Sequence, residues 1–141
     1  MVPAAWLHDI GYAGLLDEGY SNEDNEAVKD MHMKVGADMA REDLVDVDEL
    51  SEDEVAEICR LISIHDDLDA IEGKNSQLLF EADTLGMIDI DRVPPNFSRD
   101  EFKNWMETDF NPRRAPQVKT DTGKKYLSQL LEKVDNHLAY C

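Results

Sequence analysis

Positive charge is what this sequence has least of. Lys and Arg number 14 against 32 Asp and Glu in 141 residues, a formal net charge of −18. A general nucleic-acid binder draws its affinity from basic side chains on phosphates, and docking on an anionic membrane surface draws on the same resource. Neither class fits this composition. An anionic small substrate still fits, because a bound divalent cation reverses the local field. Cysteine is also scarce: Cys59 and Cys141 lie far apart and make neither a disulfide framework nor a thiolate metal motif. No apolar run approaches the roughly 18 residues of a membrane-spanning helix. The opening MVPAAWLHDIGY is apolar but short, without the basic segment or cleavage site of a signal peptide. The cytoplasm is the expected compartment by default. Runs of alternating β-branched residues are missing as well, so strands are not expected.

What is present is globular material, 42% hydrophobic and 33% charged, with apolar positions recurring at helical spacing. Residues 2–8 (VPAAWLH) read as the end of a buried helix, with Trp6, like Trp105 and the methionines, assigned to the core. Gly11, Gly14 and Gly19 mark residues 11–21 as loop. Ser21 or Asn22 can cap a long helix to about Asp43, with Val28, Met31, Val35, Met39 and Ala40 on its apolar face. Ser51 and Glu54 form a capping-box pattern before a helix carrying Val55, Ile58, Leu61, Ile62 and Ile64. A further helix from about Ser76 to Ile88 turns Leu78, Leu79, Ala82 and Leu85 inward. Residues 89–97 are loop. Ser98 caps a short helix burying Phe102, Trp105 and Met106. Pro112 and Pro116 make 107–118 loop. A last helix from about Asp121 to Ala139 shows Tyr126, Leu127, Leu130, Leu131, Val134 and Leu138 at steps of three and four. The expectation is an all-α, single-domain bundle of five to six helices over residues 1–141.

Acidic residues crowd the stretch from Asp17 to Glu72, whereas nine of the 14 basic residues follow residue 90. Most of these cations read as a solvated surface. Arg113 and Lys124 are the candidates for holding a substrate phosphate.

Three apolar helical stretches run straight into a metal-capable side chain: AAWLHD with His8 and Asp9, CRLISIHDD with His65 and Asp66, and LLFEAD with Asp83. His32 lies inside the long helix. Ionisable groups at the inner edge of apolar stretches are costly unless paired or ligating a metal, and one shared site removes that cost from all of them. Imidazole and carboxylate without thiolate suit Mn²⁺, Fe, Co²⁺, Ni²⁺ or Zn²⁺, with Mg²⁺ also possible. One carboxylate can bridge two ions, so Asp9 is a candidate bridge, with His8 and Asp83 on one ion and His32 and His65 on the other. Asp66 is a candidate base, or a partner orienting a ligand imidazole. His137, on the last helix, lacks this apolar-then-acidic context.

The order HDIGYAG, then His32 four residues before Gly36-Ala37, then Ile-Ser-Ile-His, then Ala-Asp-Thr-Leu resembles the HD-domain superfamily of metal-dependent phosphohydrolases over about residues 4–90. Residues 91–141 would be a helical extension. The resemblance implies an all-α fold with one or two divalent ions in the bundle core. It also implies hydrolysis of a small phosphorylated substrate, a nucleotide above all, by metal-bound hydroxide. His8, Asp9 and Asp83 match the signature positions, and His32 and His65 match the extra histidines of two-metal members. The sequence departs twice. None of the seven residues before His8 is the family's upstream histidine, and Tyr12 stands where Lys often follows HDIG. A bundle lacking the first helix would expose an apolar groove beside residues 4–10, which a homodimer could cover. Competing expectations are a di-iron oxygenase on an HD-like fold and a non-catalytic module that binds a nucleotide or a protein partner.

Overall fold

A computed structural model describes residues 2–17, 25–95 and 98–139. Among them the secondary structure is helical and no strand occurs, so the all-α expectation holds. The helices are α1 (Val2–Leu7), α2 (Ile10–Asp17), α3 (Asn25–Leu44), α4 (Glu52–Ile64), α5 (Gly73–Gly86), α6 (Arg99–Trp105) and α7 (Asp121–Ala139). A π-helical stretch, Met106–Arg114, and a single 3₁₀ turn, Ala115–Gln117, follow α6. No helix among the described residues is long and apolar enough to cross a membrane.

The chain divides into two compact units, the first up to Leu79 and the second from Phe80. The boundary falls inside α5, whereas the sequence reading separated the motif region from its extension at residues 90 and 91.

In the first unit, α3 and α4 build a core with α1 from small and medium side chains, among them Ala4, Ala37, Ala40, Ile58, Leu61 and Ile62. Small side chains let helix axes approach closely, and α2 comes close to α3 at Gly11. A Cβ added to Gly11 would lie 1.9 Å from the His32 carbonyl oxygen and 2.6 Å from the Gly36 nitrogen. Only glycine allows that contact. Helix α4 begins as expected: Ser51 Oγ accepts from the Glu54 N–H, and the Glu54 carboxylate accepts from the Ser51 N–H at 2.9 Å. Val55, Ile58, Leu61 and Ile62 are buried along it. Cys59 is also buried in this core and is not in a disulfide.

In the second unit, α6 opens with its own capping box, Ser98 with Glu101. Phe102, Met106 and Phe110 pack with Ile88, Leu130 and Val134 into one core. Helix α7 starts on a buried carboxylate. Glu81, 3% exposed, accepts from the Lys119 N–H at 2.7 Å and the Thr120 N–H at 2.9 Å through Oε1, and from the Thr120 hydroxyl through Oε2 at 2.5 Å. Negative charge is favoured at a helix N-terminus, where backbone donors lack intrahelical partners.

Several expectations are corrected here. Residues 11–17 are helix rather than loop, because Gly11 and Gly14 are contact positions against α3 and not breakers; the rest of that expected loop, and the expected cap at Ser21 or Asn22, lie outside the described residues. Residues 107–117 are also helical. The i→i+5 turns of a π-helix are wider than those of an α-helix, and Pro112 sits within them; the stretch closes with the Ala115 N–H donating to the Phe110 carbonyl. Trp6 is 84% exposed and Val2 65%, so α1 buries only Ala4. Ala82 and Tyr126 face outward, and α5 buries Phe80 and Thr84 instead.

Candidate metal centre

Helix α1 stops at Leu7 and α2 starts at Ile10, so His8 and Asp9 occupy the corner between them. His65 is the C-cap of α4. His32 lies within α3, one turn before Gly36. These three places in the first unit bring four sequence-predicted ligands together. His8 Nε2 lies 3.3 Å from Asp9 Oδ2. His65 Nε2 and His32 Nε2 lie 3.4 and 3.6 Å from Asp9 Oδ1. His32 Nε2 and His65 Nε2 are 3.3 Å apart. The two carboxylate oxygens therefore divide the imidazoles, with His8 on one side and His32 with His65 on the other. Among the described residues, His8, Asp9 and His65 form the group whose ligand atoms all lie within 4.8 Å of one another.

The tautomers follow from the backbone. His8 Nδ1 is 2.9 Å from the Ala5 carbonyl oxygen, and His65 Nδ1 is 2.8 Å from the Ile62 carbonyl oxygen. A carbonyl only accepts, so each Nδ1 carries its proton, and each ring turns its Nε2 toward Asp9. Histidine ligands of metals are oriented by this kind of outer hydrogen bond. Lone pairs and a carboxylate aimed at one another repel unless a proton or a cation lies between them. Four such donors, nitrogen and oxygen without sulfur, fit a first-row divalent ion.

Burial is graded. His32 and His65 are 1% and 3% exposed and form the floor, while the Asp9 side chain remains 54% open at the mouth. Burial pushes the Asp9 carboxyl up, but hydrogen bonds to His65 and His8, with their charge, outweigh it and hold the group well below the usual carboxylate range. Asp9 is thus ionised across the physiological range. Tyr12, on α2, lies face to face with His32, ring centroids 4.2 Å apart and planes 14° from parallel.

Asp66 follows His65, half-buried, with its N–H donating to Met33 Sδ at 3.4 Å. Asp83 is on the part of α5 that belongs to the second unit, 3.9 Å from Arg114 Nη1. Arg113 is exposed and bonds to Asp109 at 2.7 Å. Lys124 is exposed in the first turn of α7. The cation that the second unit buries is Arg114, 3% exposed and also 3.4 Å from Asp109. Its neighbour Arg113 was the one singled out from the sequence. Arg114 and Tyr12 were both missed as interacting residues. A visible signal for Tyr12 was its place directly after the Asp-Ile-Gly turn.

No protein-family model matches the chain, and no curated protein or solved structure shows significant similarity to it.

Proposed function

We propose that this chain is a metal-dependent phosphohydrolase of the HD-domain kind, acting on a small phosphorylated substrate such as a nucleotide. The observation that carries the reading is the convergence of the His8, His32 and His65 Nε2 atoms on the two oxygens of Asp9. When bound, a divalent ion supplies Lewis acidity and a water acidified toward neutrality. The chain's part is to hold and expose that ion. His8 and His65, fixed through Nδ1, present lone pairs at fixed angles. Asp9, ionised and open to solvent, offers one oxygen to each side, the arrangement a bridging carboxylate requires. His32 and His65 close the floor against water. Asp66, adjacent to His65 at the end of α4, is the candidate to accept a proton.

The test is metal analysis of the purified protein, followed by a phosphate-release screen over nucleotides and simple phosphoesters with Mn²⁺, Co²⁺, Ni²⁺, Zn²⁺ and Mg²⁺. Asp9→Ala should abolish metal occupancy and turnover together. A variant that kept full activity would remove the reading. The imidazole-rich donor set also fits iron, which favours an oxygenase as the second reading. Oxygen consumption with iron would support the oxygenase, and phosphate release under strict anaerobiosis with Mn²⁺ would exclude it as the main activity.

A further inference from the structure

Three features of one helical turn meet His32. Asp9 places a carboxylate oxygen 3.6 Å from its Nε2. Gly11 packs its backbone against the His32 carbonyl, leaving no room for a Cβ. Tyr12 covers one face of its imidazole in a parallel stack. The Tyr12 N–H donates to the Asp9 carbonyl at 3.1 Å, so ring and ligand belong to one closed turn. His8 and His65 have their ring planes set by backbone carbonyls of their own helices. The His32 ring is stacked against an aromatic face from the neighbouring helix.

We propose that Tyr12 is a positioning residue of the metal centre: its ring fixes the imidazole plane of His32 so that Nε2 aims at Asp9 and His65, and it thereby sets metal affinity. The inference rests on the metal-centre reading and goes beyond it, since Tyr12 holds a ligand and need not touch the ion. A stacked ring opposes rotation of its partner about the Cβ–Cγ bond, and a ligand already held in its bound orientation loses less freedom when the ion arrives. Tyr12 is 36% exposed, so substitution there disturbs a surface edge and not the α3–α4 core.

The experiment compares the full chain with Tyr12→Phe and Tyr12→Leu. Co²⁺ affinity is measured by competition against a chromophoric chelator, the visible spectrum of the Co²⁺ complex reports ligand geometry, and thermal unfolding is followed without metal. Leucine keeps apolar bulk but removes the flat face; phenylalanine keeps the face and removes the hydroxyl. Tyr12→Leu should weaken Co²⁺ binding about 10-fold, the lower end of what loss of an outer-shell partner costs, and change the spectrum. Tyr12→Phe should stay within about twofold of the parent, as it retains the aromatic pair. Wild-type affinity and spectrum in Tyr12→Leu would overturn the proposal and leave the metal centre intact. Equal weakening in both variants would overturn the role of the ring face. Absence of Co²⁺ and Zn²⁺ binding by the unmodified protein would instead remove the metal-centre reading, and this inference with it.

Discussion

Gly11→Ala tests how the first unit couples its packing to its candidate chemistry. The new methyl carbon would start 1.9 Å from the His32 carbonyl oxygen, 2.6 Å from the Gly36 nitrogen and 2.8 Å from the His32 carbonyl carbon. All three are backbone atoms inside α3, so no side chain can swing aside. A comfortable carbon–oxygen contact needs about 3.3 Å, so α2 has to move away from α3 by roughly 1 Å or more. Forcing a methyl group into a filled interface costs roughly 1–3 kcal/mol. For a unit of this size that corresponds to a fall in melting temperature of roughly 5–15 °C. The larger consequence is at the site. Asp9 is two residues from Gly11, and ligand distances tolerate only about 0.2 Å. A displacement of about 1 Å at a reacting centre can cost about 100-fold in rate, and the corresponding loss should be seen in metal affinity. Differential scanning calorimetry of the metal-free protein measures the first effect, and Co²⁺ competition with phosphate release measures the second. A Gly11→Ala protein with wild-type melting temperature and affinity would refute the close-approach argument. A protein destabilised but binding metal normally would show that the corner at His8 and Asp9 is held independently of α2.

Metal affinity should fall on acidification, because ligand nitrogens must be free of protons to hold an ion, and above the ordinary carboxylate range Asp9 should contribute nothing to that fall. Its folded-state value is depressed, so its stabilising contribution is complete above the ordinary 3.8 and is lost only as pH drops through the lower folded value. Co²⁺ titrations from about pH 3 to pH 8 check this; a carboxylate-like midpoint near the ordinary value would contradict it. In the second unit, Glu81→Ala should destabilise by roughly 2–4 kcal/mol, because it strands two backbone donors and a hydroxyl around a buried position. Urea denaturation measures it, and a change below about 0.5 kcal/mol, the scale of an ordinary surface substitution, would show that α7 does not depend on this carboxylate. Gly123→Ala should act in the same direction, since its Cβ would fall 2.2 Å from Glu81 Oε2.

Much of this architecture was legible in the amino-acid order. The capping box at Ser51 and Glu54 and the cap at Ser98 were readable, the first because a Ser and a Glu three residues on satisfy each other's backbone donors wherever they occur. The bounds of α7 followed from a long apolar stripe. The failures share a physical origin. Glycine and proline were treated as local punctuation, whereas Gly11 serves a contact with α3 and Pro112 sits within a wider helical turn; both outcomes depend on tertiary context. Trp6, Ala82 and Tyr126 were turned inward because apolar character was allowed to fix helix phase, and an apolar residue on the surface is ordinary. At the site, His8, Asp9, His32 and His65 were found from their apolar flanks, and the structure brings all four together. The stacking of Tyr12 on His32 and the pairing of Arg114 with Asp83 were not read, because each joins different helical segments of the chain.

The carbonyls that lock His8 and His65 belong to Ala5 and Ile62, near the ends of α1 and α4. Each ring therefore finishes its helix with one nitrogen and addresses the centre with the other. Fraying of either terminus would release a ring, so an ion bound between the two rings would also suppress the fraying, by as much as the frayed form binds it less well. Amide exchange around residues 62–66 should then slow in proportion to metal concentration, which makes helix-end breathing a direct gauge of occupancy.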